Sequence, residues 1–352
     1  MFKKKRLYFV WLVWFAVIHV SCDGDSPMGP EAMTVQRAFV VNSTSNTISV
    51  IELDSLTVRN DVIDLGPNST AVGFSFRGQR AIVPNGRANN VVVLDTENLT
   101  VEGIIDLPEG SGATGSAFFN NTIAFVGNLN LNSVSRIDLQ SMTWTDTIAV
   151  GIAPSDIAVA NGKVFVINSN VDFTTFEKLG NGTISVIDPN TLQVTNTIDA
   201  GATNSQFIGV DLEGDLIVVN SGDFGAGNGT VSVIDPETET LTTGPVTIGD
   251  FPGSFNINSD GVAYIASFSA GLYVFNTRTN TVVRGADNPL SATDASGNPL
   301  GSAGVDFDDD DNIYSVHFGD GVTPGTVFMF NSAETLVDSV KVGIGPFAIE
   351  IP

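Results

Sequence analysis

The chain has 352 residues, 39 of them acidic and 15 basic, which gives a formal net charge of −24 at pH 7. Such an acidic chain repels phosphate backbones and lacks the basic stripe that nucleic-acid binding requires, so we expect no nucleic-acid partner. Only 15% of the residues are charged and 36 are glycines. Together with recurrent Val, Ile and Thr, this composition is typical of an all-β protein with many turns.

Residues 1–21 have the pattern of a signal peptide. A basic segment, Lys3–Arg6, precedes an apolar run, Leu7–Val20, which is too short for a confident membrane span. Cys22, the only cysteine, follows Ser21, and this junction resembles the cleavage and acylation site of bacterial lipoprotein precursors. His19 departs from the aliphatic residue usual in that motif. The alternative is an ordinary signal peptide with an incidental cysteine.

Residues 22–36 are predicted to form a lipidated cysteine and a flexible linker, because they carry Gly, Pro and acids without periodicity. A lone cysteine excludes internal disulfides. The resemblance to lipoproteins implies an extracytoplasmic protein held on a membrane by its acyl chains. Which membrane leaflet carries it stays open. The folded domain is predicted to span residues 37–352.

A repeated segment organises that domain. Its clearest copy is Asn181–Asp188 (NGTISVID), and each copy closes on an acidic or amide residue. These closing residues recur at intervals of about 40 to 55 residues. A period of this size is typical of a solenoid or propeller. The other copies are Asn46–Glu52, Asn89–Asp95, Asn132–Asp138, Gly229–Asp235, Gly271–Asn276 and Gly325–Asn331.

Each repeat divides into four short strands, here lettered a to d, and the fourth repeat shows them best. Strand a is predicted at Ser155–Ala160, b at Lys163–Asn168, c at Thr183–Asp188 and d at Gln193–Asp199. Asn161-Gly162 is a strong hairpin signal between a and b. The c–d connection, DPNT, has the Asp and Pro that a type I turn prefers. Strand b is apolar on both faces, as a strand between two packed sheets should be.

The b and c strands resemble the YVTN-type β-propeller repeat family, in which strand b ends in Asn and strand c reads Thr-Val-Ser-Val-Ile-Asp. A Gly-x-x-Pro element precedes the innermost strand, as at Gly151–Pro154 and Gly343–Pro346. The sixth and seventh repeats depart, with Ser267 and His317 near the Asn position. The resemblance covers residues 37–352. It implies the propeller architecture but does not indicate any particular activity. The b strands that end in Asn are Ala38–Asn42, Ala81–Asn85, Ala124–Asn128, Val164–Asn168 and Leu216–Asn220.

The two ends of the domain predict ring closure. It opens with a b strand, Ala38–Asn42, that has no strand a, and it finishes with Gly345–Ile351, which reads as a spare strand a. Pairing the two completes the first sheet and removes an open edge. We therefore predict a seven-bladed β-propeller of four-stranded antiparallel blades, with blade 1 shared by both ends of the chain.

Strand parity predicts where binding occurs. The b–c and d–a loops leave the blades on one face, and the long loops of blades 4 to 7 all belong to these two classes. Aromatic rings among acids favour a cationic, peptide or sugar ligand over a phosphate. The alternative is that these loops only pack on each other. The residues predicted to contact a ligand or partner are Phe173, Phe176, Asp223, Phe224, His317, Phe318 and Asp320.

Three further features have a functional and a structural interpretation. His317 could be a metal ligand or a base with Asp320 and Asp223, or a substitution at the blade Asn position. The row of strand-end asparagines could bind a ligand or stabilise turns, and the latter is the better supported. The acidic run 306–312 could hold calcium or be a solvated turn, but it lacks EF-hand spacing.

Recognised catalytic motifs are absent from the sequence: it contains no Gly-x-Ser-x-Gly, His-Glu-x-x-His or Walker loop. One histidine after the leader excludes the paired histidines of propeller lyases. The sequence therefore predicts a non-catalytic binding or interaction scaffold, without a cofactor, for a protein, peptide or glycan partner. The alternative is a lactonase-like hydrolase or lyase, with a divalent metal, or an accessory subunit of an extracytoplasmic redox enzyme.

Overall fold

The computed structural model describes residues 36–352, and these residues form a seven-bladed β-propeller. Seven four-stranded antiparallel sheets follow one another along the chain, as the repeat spacing predicted. A two-stranded hairpin projects from blade 4, and one 3₁₀ turn spans Leu129–Leu131. The predicted signal peptide, lipidated Cys22 and linker lie outside the described residues.

The strands of blades 1 to 3 follow the chain in the order b-c-d for blade 1 and a-b-c-d for the next two. They are β1 (Arg37–Asn42), β2 (Thr47–Glu52) and β3 (Thr57–Asp64); β4 (Ser75–Arg77), β5 (Arg80–Asn85), β6 (Asn90–Asp95) and β7 (Thr100–Asp106); and β8 (Ala113–Phe118), β9 (Ile123–Asn128), β10 (Ser133–Asp138) and β11 (Thr143–Ala149).

Blades 4 and 5 are the two with the longest d strands. They contain β12 (Pro154–Ala160), β13 (Lys163–Asn168), the hairpin β14 (Val171–Asp172) and β15 (Glu177–Lys178), β16 (Asn181–Asp188) and β17 (Gln193–Thr203); then β18 (Ser205–Val210), β19 (Leu216–Asn220), β20 (Gly229–Asp235) and β21 (Thr240–Gly249).

Blades 6 and 7 precede the closing strand. They contain β22 (Pro252–Ile257), β23 (Val262–Ser267), β24 (Gly271–Asn276) and β25 (Thr281–Arg284); then β26 (Gly304–Phe307), β27 (Ile313–His317), β28 (Pro324–Phe330) and β29 (Leu336–Ile344), followed by β30 (Pro346–Glu350).

The predicted closure is confirmed by the pairing of β30 with β1. The two strands are antiparallel, with Phe39 opposite Glu350 and Val40 opposite Ile349, so β30 is the innermost strand of blade 1. A bulge between Val41 and Asn42 shifts the register at the end of the pairing. The first and last strands of the propeller therefore share one sheet, and the inner edge of β1 is paired.

The hydrophobic core lies between neighbouring blades. Strands b and c are buried on both faces, and each core cluster combines side chains of two adjacent sheets. Phe165 and Ile167 of blade 4, for example, pack in one cluster with Leu216 and Val218 of blade 5. Burying such a side chain fully contributes about 1.5–3 kcal/mol, so face-to-face packing of the sheets is the main stabilising interaction.

The acidic residue that closes most copies of the repeat forms the c–d turn. The Asp95 carboxylate accepts hydrogen bonds from the backbone N–H groups of Glu97 and Asn98, both at 2.9 Å. These bonds lower the pKa of Asp95, because they favour the charged form. The same Asx turn recurs at Asp138, Asp188 and Asp235, which explains why this position is so regular.

The asparagine row joins strands within a blade and packs against the preceding blade. Asn42 is fully buried, and its side-chain Nδ2 donates to Ser49 Oγ on β2 at 2.8 Å. Ser49 Oγ in turn accepts a hydrogen bond from the backbone of Gly343 in blade 7. A Cβ on Gly343 would lie 2.5 Å from the Asn42 amide, so this close approach requires glycine. Matching Asn–Ser pairs occur at Asn128–Ser135, Asn168–Ser185 and Asn220–Ser232.

Candidate functional site

The long loops of blades 4 to 7 project from one face of the propeller, which we call the loop face; the opposite face, made of a–b and c–d turns, is the turn face. Nine large apolar side chains are exposed in the connections of the loop face, against Leu212 alone in the described turns of the turn face. Among the connections between strands, the exposed apolar side chains thus lie mainly on the loop face. The nine are Val72, Leu131, Ile152, Phe173, Phe176, Leu179, Phe224, Phe268 and Val322.

Two of these rings are exposed to an unusual degree for an ordered connection. Phe176, in the β14–β15 hairpin of blade 4, is 74% exposed, and Phe224, in the b–c loop of blade 5, is 76% exposed. Each has a single aromatic neighbour: Phe173 lies edge-on to Phe176 at 6.4 Å, and Phe251 lies edge-on to Phe224 at 5.1 Å. Most of both ring surfaces is thus free for a contact.

An ion pair connects these two loops. Lys178 of the hairpin is paired with Asp223 of the blade 5 loop. That loop is also fixed from beneath, because the Asp250 carboxylate accepts hydrogen bonds from the N–H groups of Gly225 and Gly227. We call residues 169–180, 221–228 and 249–251 the blade 4–5 platform. These contacts hold the two loops against each other and against the d–a connection of blade 5.

The predicted residues of blade 7 lie in a different setting. Phe318 is half-buried and packs against Phe268 at 6.4 Å, and Phe268 packs against Phe347 of β30 at 5.5 Å. Asp320 accepts hydrogen bonds from the backbone N–H groups of its own turn, at Val322 and Thr323. These side chains shape their loop and fill the space between blades 6, 7 and 1.

His317 is tied to the backbone. Its Nδ1 lies 2.8 Å from the carbonyl oxygen of Gly301, so Nδ1 carries the proton and donates, and the ring packs against Phe328. Within residues 36–352 no three His, Cys, Asp or Glu side chains are close enough to hold a metal. His317, Asp320 and Asp223 are thus not gathered into a ligand group, and His317 links strand b to the d–a loop.

A central cavity of about 380 Å³ lies where the innermost strands of the blades meet. Among residues 36–352, no Lys, Arg or His side chain lines it. Its lining includes one residue from every blade: Glu350, Phe74, Thr114, Asp156, Phe207, Phe255 and Val305.

Asp156 of blade 4 and Glu350 of blade 1 line this cavity, and Asp306 of blade 7 lies behind the lining, in contact with Asn256 and Glu350. Asp156 accepts hydrogen bonds from the N–H groups of Ile157 and Ile208, at 2.9 and 3.1 Å. Asp306 accepts from the Asn256 side chain and from the N–H of Ile351. Glu350 is hydrogen-bonded to Asp306. These contacts connect different blades. Asp156 joins blade 4 to Ile208 of blade 5, and Asp306 joins blade 7 to Asn256 of blade 6 and to Ile351, which follows β30 of blade 1.

The surroundings of these carboxyls disfavour negative charge. Burial raises the pKa of Asp156 and of Asp306 to about 7. Glu350 has its pKa raised well above its usual range, first by burial and then by the nearby Asp306 and Asp156. Solvent reaches Asp156 and Glu350 from the cavity side, but surrounding protein atoms remove most of their hydration. The group therefore retains protons near neutral pH, in the absence of a counter-cation.

Sequence reasoning missed the convergence of these three groups. The acidic run 306–312 was expected to lie wholly in a turn, but Asp306 and Phe307 belong to β26 and the turn begins at Asp308. The Asp308 carboxylate accepts from the N–H groups of Asp310 and Asn312, so part of the run organises its own turn. The sequence does contain one signal for a carboxyl group near the central cavity: an acidic residue within a predicted innermost strand, as Glu350 is in Pro346–Glu350.

No family model matches the chain, and no curated protein does. Solved structures are similar: a hydrazine synthase from Kuenenia stuttgartiensis has a TM-score of 0.67 at 16% identity, covering 80% of this chain and 90% of that one. A functionally unknown protein from Desulfotomaculum acetoxidans has a TM-score of 0.67 at 18% identity, and the match covers 90% of this chain and 98% of that one. A quinonprotein alcohol dehydrogenase-like protein from Bacteroides thetaiotaomicron has a TM-score of 0.65 at 13% identity, and the match covers 90% of this chain and 78% of that one.

At such low identity these likenesses show the fold alone. The chain is a β-propeller, and proteins of that class include enzymes as well as proteins of unknown function. In the part of the chain that the structure describes, no helix has the length and apolar character needed to span a bilayer.

Proposed function

We propose that the protein is a non-catalytic binding protein and that the loop face over blades 4 to 7 is its recognition surface. The observation that carries the proposal is the exposure of Phe176 and Phe224 on loops held together by the Lys178–Asp223 pair. Well-placed aromatic side chains supply most of the binding energy in many interfaces. Burying one such ring on a partner contributes about 1.5–3 kcal/mol.

The cellular setting belongs to the same proposal. The YVTN-type repeat pattern of the b and c strands and the lipoprotein-like junction before Cys22 support a propeller tethered outside the cytoplasm. Several acyl chains on Cys22 would hold it on a membrane, with no cofactor needed for binding. Metabolic labelling with a fatty acid tests this part: a Cys22→Ser variant should lose the label, and equal labelling of both proteins would contradict it.

The binding surface is tested by site-specific crosslinking in the source cells. A photoreactive phenylalanine analogue at position 176 and, separately, at position 224 should crosslink to the same partner, because one ion pair joins their loops. The matched control is the analogue at position 212, where exposed Leu212 lies on the turn face. A partner crosslinked equally from position 212, or none from 176 and 224, would overturn the proposal.

A second candidate function is acid–base chemistry in the central cavity. The observation that favours it is the set of Asp156, Asp306 and Glu350, whose raised pKa values suit proton transfer near neutral pH. Turnover of lactone or ester substrates that Glu350→Gln abolishes would support it. Native mass spectrometry of protein purified without chelator would detect a divalent metal. A parent protein with neither turnover nor bound metal would exclude this candidate.

A further inference from the structure

The blade 4–5 platform combines exposed aromatic rings with an excess of carboxylates. We propose that it binds a cationic polypeptide segment, whose Lys or Arg side chains lie over Phe176 and Phe224 while the surrounding carboxylates face their charges. This inference rests on the proposed binding function and adds the chemistry of the partner. Four carboxylates and one base, Lys178, stand on the platform. The four are Asp172, Glu177, Asp223 and Asp250.

The charge is concentrated on this side of the loop face. The b–c and d–a loops of blades 4 to 7 carry seven carboxylates against Lys178, whereas those of blades 1 to 3 carry only Arg87 and Glu109. The net negative charge of the platform therefore exceeds that of the other half of the same face. A field of this sign attracts cationic partners and repels acidic ones.

One platform carboxylate, Asp172, keeps its charge because backbone groups hold it. Asp172 accepts hydrogen bonds from the N–H groups of Thr174 and Thr175, and these bonds hold its pKa below the usual range. Asp320, in the b–c loop of blade 7 on the same face, is held in the same way by Thr323 and Val322. These groups stay ionised in mildly acidic solution, so the attraction for a cation persists there.

The rings suit a cation better than an uncharged apolar group. A guanidinium or ammonium group over an aromatic face gains about 0.5–1 kcal/mol at an exposed site, in addition to the area that it covers. Phe176 and Phe224 each use one edge-on contact and expose the rest of the ring. A nearby carboxylate strengthens the hold on the same cation, since Asp172 and Glu177 flank the tip of the hairpin.

The shape of the platform points to a polypeptide. Neither Phe176 nor Phe224 lines the central cavity; both stand on loops that project into solvent. A small cation would leave most of both rings uncovered. An extended segment that crosses the Lys178–Asp223 pair can reach the loops of both blades at once, and engaging two sites in one chain raises the overall affinity.

Selection from a displayed library of short random peptides tests the proposal. The purified protein should enrich peptides rich in Arg and Lys, and their affinity should fall by about tenfold when the salt concentration rises from about 0.05 to about 0.5 M. Glu177→Gln should weaken these peptides severalfold. The matched control is Glu237→Gln, which removes the same charge from a blade 5 turn on the turn face.

The ring contribution is tested with the double variant Phe176→Ala/Phe224→Ala, which should lose binding of the selected peptides. Its control is Trp144→Ala, at a half-exposed ring of the outermost strand of blade 3. Neutral or acidic enriched peptides, or affinity unaffected by salt and by Glu177→Gln, would overturn the cationic partner. That result would leave the binding surface standing if positions 176 and 224 still crosslink to a partner. Failure of both experiments would remove the proposed function as well.

Discussion

Replacing Glu350 by Gln tests the carboxyl group at the central cavity. Glu350 lies in the closing strand β30 and is hydrogen-bonded to Asp306. Within the part of the chain that the structure describes, no basic residue lines the cavity to balance a charge. Gln has nearly the same shape, cannot ionise, and its amide can donate to the Asp306 carboxylate. The variant therefore removes one ionisation while keeping the contact between β30 and β26.

The expected effect follows from the number of protons bound by the folded and unfolded states. The pKa of Glu350 in the folded protein is raised well above its usual range, so the folded protein keeps a proton that the unfolded chain releases above about pH 4.3. Stability of the parent protein therefore falls as pH rises, by about 1.4 kcal/mol per pH unit for this group. The loss accumulates from about pH 4.3 upward until Glu350 ionises in the folded protein, and Glu350→Gln should lack it.

Unfolding by guanidinium, followed by circular dichroism at several pH values, measures the difference. The stability of the variant should fall less steeply with pH than that of the parent, and the variant should be the more stable of the two at neutral pH. The control is Glu237→Gln, at an exposed turn, whose curve should run parallel to that of the parent. Parallel curves for Glu350→Gln would mean that Glu350 is ionised in the folded protein, and the account of the cavity would fail.

The remaining predictions concern the scaffold. Phe165→Ala should lower the free energy of unfolding by about 3–5 kcal/mol, measured by denaturant titration, because this fully buried ring fills the contact between blades 4 and 5. Gly151→Ala should cost about 1–3 kcal/mol in the same assay, since its Cβ would lie 2.7 Å from the Asn168 side chain, whereas Gly73→Ala, with open space around it, should be neutral. Deleting residues 346–352 should expose the inner edge of β1 and cause aggregation detectable by size-exclusion chromatography; a monomeric, fully stable product would contradict the closure.

The architecture could be predicted from the sequence because its signals are local and repeated. Most c strands end at a turn residue such as Asp188, and each b strand is apolar on both faces, so strand order and blade number follow from counting. Strand b of blade 4, Lys163–Asn168, has the predicted bounds. Strand d of the same blade continues beyond the predicted Asp199 to Thr203, since its pairing with β16 continues past a bulge.

The position of Asp156 at the cavity could not be predicted because a bulge interrupts the alternation of its innermost strand. The register shifts between Pro154 and Asp156 in blade 4, and again between Ser205 and Phe207 in blade 5. Past a bulge, the side of the sheet on which a side chain lies no longer follows from counting residues. The approach of Asp306 to Glu350 also depends on ring closure, which joins strands from different blades.

The packing of the blade 7 loop escaped prediction for a related reason. Phe318 packs against Phe268, which belongs to the b–c loop of the preceding blade, and its predicted contact with a ligand stays a prediction. The single-sequence pattern identifies exposed loops by length but carries no information about which loops of neighbouring blades touch. Phe176 and Phe224, by contrast, belong to the two longest b–c insertions and remain exposed.

The chain enters the propeller on the face opposite to Phe176 and Phe224. Strand β1 begins at Arg37 on the turn face, where its guanidinium donates to the carbonyl oxygen of Glu97 in a blade 2 turn. A molecule that covers Phe176 and Phe224 would therefore leave the start of strand β1 on the opposite face uncovered.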